Sequence, residues 1–209
     1  MLSSYFLSVS LVHHSGLTLT LSLLKKDSIH AEDQKLIALA KKNRKYFKAL
    51  YEKYFDQIFW FTMKRTGREA LSGDLTQQVF YKAMLNLNKY QFQGHPFSSW
   101  LYRIALNEIN QFYRKTKKSR YVEIEEDMLQ DMAQEIELHD TPQQEPAELL
   151  ASILQVLNPE ELSIIEMKYF EGKTYREIGE ILSLKESAAK VRAHRIIKKL
   201  KTTITQVKP

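Results

Sequence analysis

Between Tyr121 and Glu148 this 209-residue chain carries no lysine or arginine, yet ten carboxylates fall in the same stretch. A compact core does not form around ten like charges without counter-charge, so the strip divides the chain. On either side the balance reverses. Residues 34–120 hold 18 basic and 5 acidic side chains, residues 149–209 hold 11 and 7, and the whole chain comes to +6. Within the strip, His139-Asp140-Thr141-Pro142-Gln143-Gln144-Glu145-Pro146 is rich in turn formers and glutamine. It has the character of a flexible, solvated linker, with a short helix expected around Met128–Leu138. The chain is therefore expected to form two small units, at 33–120 and 147–209, joined by an acidic linker over 121–146.

Composition narrows the class of each unit. The absence of cysteine excludes disulfides, zinc fingers, thiolate clusters and cysteine nucleophiles. Six glycines and five prolines are too few for a loop-rich or all-β chain, which leaves an all-α fold. An excess of positive charge favours an acidic partner, either nucleic acid or a membrane surface. Leu2 to Leu24 is not a secretory signal, since no positive charge precedes its apolar part and Lys25-Lys26 follow it. Nor is it a spanning helix, because His13, His14, Gly16 and many hydroxyls interrupt it, so no stable membrane insertion is expected. Residues 1–32 are read either as a flexible extension or as the product of a start codon assigned too far upstream. The His13-His14 pair is too isolated for a metal site. With the carboxylates gathered in the linker and the histidines scattered, no catalytic residues, metal or cofactor are expected.

From residue 33 the apolar positions recur at helical spacing. Asp33 can cap a helix bearing Leu36, Ile37, Leu39 and Ala40. Phe47, Leu50, Tyr51, Tyr54, Phe55, Ile58, Phe59 and Met63 continue the period until Gly67. Ser72-Gly73-Asp74 opens a third helix with Leu75, Val79, Phe80, Ala83, Met84 and Leu87 on one face. A loop from Asn88 to Pro96 carries Tyr90 and Phe92, and a fourth helix runs to about Arg120. Phe97, Leu101, Ile104, Ala105 and Phe112 form its expected core side. Trp100, Arg103, Asn107, Asn110, Gln111, Arg114 and Lys118 share another arc. Such a stripe is either a solvated face with a boundary tryptophan or a nucleic-acid surface, where bases stack on the indole and amides meet base edges. The basic tail from Arg114 to Arg120 favours nucleic acid.

After the linker, Pro146 begins a helix with Leu149, Leu150, Ile153, Leu154 and Leu157. Asn158-Pro159-Glu160-Glu161 supplies an N-cap, a proline at the first helical position and a glutamate three after the cap, and Gly172 ends that helix. Thr174-Tyr175-Arg176-Glu177 is a second capping box, opening a short helix through Leu182. Three residues, Ser183-Leu184-Lys185, lead to a last helix from Glu186 to about Thr202. Two helices joined this way form a helix-turn-helix pattern, with Gly179 and Ala189 small at the crossing. From Lys185 to Lys201 there are seven basic residues and one acidic. That balance favours insertion of the second helix into a major groove, through Ser187, Lys190, Arg192, His194, Arg195, Lys198 and Lys199, over a merely solvated face.

Asp74-Leu75-Thr76-Gln77-Gln78-Val79-Phe80, followed by Phe97-Ser98-Ser99-Trp100-Leu101-Tyr102-Arg103-Ile104-Ala105-Leu106-Asn107, resembles region 2 of bacterial RNA polymerase sigma factors. Leu157-Asn158-Pro159-Glu160-Glu161, Tyr175-Arg176-Glu177-Ile178-Gly179 and Val191-Arg192-Ala193-His194-Arg195 resemble region 4. Two such regions and a short linker are similar to the extracytoplasmic-function (ECF) group. The resemblance implies a cytoplasmic transcription initiation factor, monomeric when free, that binds core RNA polymerase and promoter DNA and is often controlled by an anti-sigma factor. By position it assigns Asp74, Gln77 and Gln78 to the polymerase, although the family commonly has an acid at the place of Gln78. Tyr90, Phe92, Trp100, Arg103, Asn107, Gln111 and Arg114 fall to the melted −10 element. Ser187, Lys190, Arg192, His194, Arg195 and Lys199 fall to the −35 duplex, with Ala188 and Ala189 standing where a Thr-Val pair is frequent. A conventional dimeric helix-turn-helix regulator, acting without polymerase, is the alternative reading.

Overall fold

The computed structural model describes residues 31–92, 94–116, 132 and 152–207, and there is no strand among them. Helices occupy 31–42 (α1), Phe47–Thr66 (α2), Glu69–Asn86 (α3), Phe97–Thr116 (α4), Pro159–Ile165 (α5), Tyr175–Leu182 (α6) and Glu186–Val207 (α7). Most of the expected acidic linker and the last residues expected in α4 lie outside the described residues, as do residues 1–30. The chain divides into two compact units. One takes Met1–Lys53 with Asn86–Phe97, and the other takes Tyr54–Leu85 with Ser98–Pro209.

In the first unit Asp33 lies inside the first turns of α1 instead of capping it, buried against the Lys53 ammonium at 2.9 Å. Burial alone would lower the Lys53 pKa. Hydrogen bonds to Glu32 and Asp33 outweigh that and hold it above its ordinary value. After α3 the chain passes through a 3-10 turn at Leu87–Lys89, where an open loop was expected. Tyr90 then turns inward, its ring edge-on to Phe97 at 5.3 Å and its carbonyl accepting from Lys41 Nζ at 2.6 Å.

The second unit pins α2 to α3 with hydroxyls. Thr62 Oγ1 meets Thr76 Oγ1 at 3.0 Å, Thr66 Oγ1 meets Ser72 Oγ at 2.6 Å, and Ser72 Oγ also donates to Arg68 O. These bonds place Ser72 within α3, which starts at Glu69 and not at the expected Ser72-Gly73-Asp74. An acid in the first turn suits the positive end of a helix. Leu101, Ala105, Leu106 and Ile109 are buried on α4, whereas Ile104 and Phe112, expected in the core, are only half-buried. The apolar arc is therefore centred about one residue-step further round than the heptad-like reading placed it. Lys82 Nζ donates to Glu108 Oε1 at 2.6 Å and ties α3 to α4.

Residues 152–204 form an apolar cluster around Ile153, Leu154, Ile165, Phe170, Ile196 and Leu200. Met132 is helical and fully buried in the same cluster, so at that position the expected solvated linker is core. Both capping boxes are present, Asn158 with Glu161 and Thr174 with Glu177. Instead of running as one α-helix to Gly172, the chain passes from α5 into a π turn at Glu166–Phe170. Gly172, at φ 62°, ends it in the left-handed region that glycine enters without strain. Ser183 takes φ 57° to make the turn after α6, and the Leu184 amide donates to Gly179 O at 2.8 Å.

Gly179 is required by that turn. A Cβ there would lie 2.7 Å from the Leu184 carbonyl oxygen, a backbone atom that cannot swing aside. Gly179→Ala is expected to cost about 1–3 kcal/mol, typical of overpacking, and to lower the thermal midpoint followed by circular dichroism. An unchanged midpoint would show that the turn gives way freely.

Glu161 supplies a second check. Burial pushes its carboxyl up, but the Lys199 ammonium and the Asn158 amide bonded to it prevail and hold it below the usual value. A depressed folded pKa contributes stability above the unfolded value and loses it as pH falls through the folded one. Glu161→Gln should therefore cost about 1 kcal/mol at pH 7, the scale of a lost cap, and the difference should vanish at strongly acidic pH. Equal denaturant midpoints at pH 7 would refute this.

Candidate nucleic-acid interface

One side of α7 is committed to the core: Ala189, Ala193, Ile196, Ile197, Leu200 and Ile204 are buried. At 3.6 residues per turn the opposite side must then present the polar residues. Ser187, Lys190, Arg192, His194, Arg195 and Lys199 are all exposed, as is Lys198. The Tyr175 ring stands 6.4 Å from that of His194 and forms an aromatic shoulder to this face. Arg192 and Arg195 border a shallow cleft of about 200 Å³ with Asn158, Glu160 and Glu161. Lys199 differs from the rest. Its ammonium donates to Glu161 Oε2 at 2.8 Å and Val156 O at 3.1 Å, so it fastens α7 to the start of α5.

The expected stripe on α4 is present but unevenly available. Asn107 and Arg114 are exposed, and Trp100, Gln111 and Arg103 are half-buried. The Arg103 guanidinium donates from Nε to Ile181 O at 2.9 Å and from Nη2 to Glu180 O at 3.0 Å. Burial lowers its pKa from the ordinary arginine value. Phe92 is exposed in the first unit, but Tyr90 is a core residue there. Burial, with Asp33 adding to it, pushes the Tyr90 phenol up to about 12. Tyr90 therefore does not offer a free ring for base stacking, which corrects the expectation placed on it.

On α3, Asp74, Gln77 and Gln78 are exposed, and Tyr81 and Leu85 follow them on the same side at 55% and 47% exposure. The sequence reading passed over these two apolar groups, although spacings of three, four and seven residues put them on the Asp74 face.

A further group went unread. Arg65 is 1% exposed. At 100° per residue it falls in the middle of the α2 stripe formed by Phe47, Leu50, Tyr54, Ile58 and Phe61, and a charge at the centre of an apolar face was the signal. Its guanidinium carbon lies 3.6 Å over the Phe61 ring. Nε is 3.1 Å from Glu166 Oε2, and Nη2 pairs with Glu171 Oε1. Nη1 donates to Phe61 O at 3.1 Å, and the Tyr113 hydroxyl donates to Arg65 O at 3.0 Å. Tyr102 packs on Phe61 at 4.6 Å and lies beneath Lys173 Nζ at 4.8 Å. Its phenol is pushed up to about 12, first by burial and then by the Glu171 carboxylate.

Two family models match the chain in order: sigma-70 region 2 over residues 50–119 and sigma-70 region 4 over residues 147–200. The chain belongs to the sigma-70 family, in its ECF group. It is 27% identical over 159 residues to the ECF RNA polymerase sigma factor BldN of Streptomyces coelicolor, covering 74% of this chain and 58% of that protein. To the RNA polymerase sigma factor YlaC of Bacillus subtilis it is 29% identical over 171 residues, 79% of this chain and 95% of that one. To the ECF RNA polymerase sigma factor SigW of Bacillus subtilis it is 28% identical over 166 residues, 71% and 83%. The chain thus spans somewhat over half of BldN and most of YlaC and SigW. Among solved structures, that of CnrH in complex with the cytosolic domain of CnrY covers 84% of this chain and 98% of that one, at 22% identity and a TM-score of 0.49. Membership of this family does not favour the dimeric regulator acting without polymerase. Among the described residues no helix is long and apolar enough to cross a membrane, and no three histidines or carboxylates are grouped to hold a metal.

Proposed function

We propose that this sigma factor directs core RNA polymerase to promoters by laying α7 in the −35 major groove and receiving the melted −10 strand on α4. The observation that carries the reading is the continuous exposed face of α7 from Ser187 to Lys198, which opens at the N-terminal end of a helix packed in a helix-turn-helix. Residues near the start of such a helix meet base edges, and the basic ones behind them meet phosphate. On α4, Trp100, Asn107, Gln111 and Arg114 supply a stacking ring, two amides and a cation along one side. Extruding a base costs a few kcal/mol, which stacking and amide hydrogen bonds can offset. Asp74, Gln77 and Gln78 on α3 would face the polymerase, with Tyr81 and Leu85 adding apolar area to that contact. Residues 33–120 then form the polymerase and −10 unit and residues 147–209 the −35 unit. A factor working on the polymerase and its promoters acts in the cytoplasm.

Trp100→Ala and Asn107→Ala are each expected to weaken open-complex formation by about 1–3 kcal/mol while binding core polymerase normally. Loss of core binding in either variant would make the face structural. Arg192→Ala and Arg195→Ala should weaken −35 use and flatten the dependence of binding on salt by about one counterion each. Run-off transcription with core polymerase on a genomic promoter library measures all four variants. Promoter use unaltered by both arginine changes would overturn the assignment of α7.

A further inference from the structure

Three features of the second unit stand outside the reading above. Arg65 is buried on α2 against two glutamates of the segment after α5, Arg103 is spent on two carbonyls of α6, and Lys173 lies over Tyr102. All three join residues matched by the region 2 model to residues matched by the region 4 model.

We propose that these contacts are a latch: the free protein closes region 4 onto the α4 face, and the −10 strand can be received only after the latch opens. The proposal rests on the reading of α4 as the −10 surface. The exclusion is geometric. Arg103 lies on the same side of α4 as Trp100, Asn107 and Arg114, and its guanidinium is held at 2.9 and 3.0 Å by the last carbonyls of α6. Those carbonyls are the unpaired negative end of the helix and a good arginine receptor. While they hold Arg103, it cannot meet a phosphate or a base, and α6 stands over that part of the face. The outward side of α7 is untouched by these contacts. The closed form therefore keeps its −35 residues exposed while masking the −10 surface.

The chemistry of the contact suits a part that must open. Arg65, Glu166, Glu171, Lys173 and Arg103 are all polar, and each regains hydration on separation. The desolvation cost of burying an ion pair nearly cancels its attraction, so such a contact fixes geometry while adding little net stability. An apolar interface of the same size would hold the halves together permanently.

The absence of native cysteine permits a direct test in the full chain. Dyes are attached at Asp56→Cys and Thr202→Cys, both exposed, one on α2 and one on α7. Energy transfer in the free protein should fall on adding core polymerase. It should also fall, without polymerase, in the Glu166→Gln/Glu171→Gln double variant. If the closed form holds about nine-tenths of the free population, that variant should bind core polymerase about tenfold more tightly. Should the double variant lose helix content by circular dichroism, Arg103→Gln, on the half-buried surface, makes the same core-free measurement. Transfer identical to the parent chain in the folded variants, or unchanged by bound polymerase, would overturn the latch. Failure of every variant to bind core polymerase, with transfer still responding to the substitutions, would count against the sigma reading and leave the closure standing.

Discussion

A guanidinium without access to water sets the terms for the second unit. Arg65 sits where the α2 stripe calls for an apolar side chain, so its charge must be met from other elements. Phe61 gives it a ring face, and Tyr102 of α4 braces that ring. The carboxylates come from Glu166 and Glu171, which are five residues apart. On an α-helix, five residues correspond to about 140° of rotation, and two such side chains could not reach one cation. A π turn bonds each residue to the fifth along and brings that pair to nearly the same side. The irregular turn at Glu166–Phe170 thus has a physical occasion in Arg65. Lysine could not substitute there, since only the planar fork can address two carboxylates while stacking on a ring.

Legibility followed the range of the interaction. Asn158-Pro159-Glu160-Glu161 and Thr174-Tyr175-Arg176-Glu177 were readable because a capping box is complete within four residues. Gly179 and the Ser183-Leu184-Lys185 turn were readable for a similar reason, since the close approach is local. The face of α7 followed from helical period and charge alone. What escaped depends on partners far along the chain. Arg103 looked like a phosphate contact until carbonyls 77 and 78 residues away took its donors. Tyr90 looked like a loop aromatic, and its ring is instead packed on Phe97. Lys199 counted as part of a basic face, yet it reaches back 38 residues to Glu161. Met132, within a strip defined by its charge, is buried because a single large apolar side chain finds the nearest core whatever its neighbours carry. The start of α3 was misplaced because a serine and a glycine signal a helix start on average, whereas here the Ser72 hydroxyl is spent within the helix.

The charge division along the chain acquires a sharper meaning from these contacts. An excess of positive charge over 34–120 does not amount to an equally available nucleic-acid surface. Arg65 is neutralised internally, Arg103 is capped by carbonyls, Lys82 is paired with Glu108 and Lys53 with Asp33. The cations left facing solvent on α4 are near its end, at Arg114 and Lys115. On α7 the exposed cations at Lys190, Arg192, Arg195 and Lys198 lie beside one another along one side, with Lys199 alone tied to a carboxylate. Net charge counts both populations alike, but only the second contributes to a field that draws a duplex.

Self-closure and DNA contact also respond differently to the solvent. Contacts to phosphate release counterions and weaken steeply as salt rises. A pair as buried as Arg65 with Glu166, 1% and 5% exposed, is screened far less, because mobile ions do not reach it. The two uses of the basic residues are therefore not balanced once and for all. Rising ionic strength costs the open, DNA-bound form more than the closed one, and the polymerase must supply the difference through its own contact on α3. That contact offers one carboxylate at Asp74, the amides of Gln77 and Gln78, and the exposed Tyr81 and Leu85. A surface with one charge and a large apolar share loses little to salt, which fits it to hold the factor on its enzyme while the DNA contacts come and go.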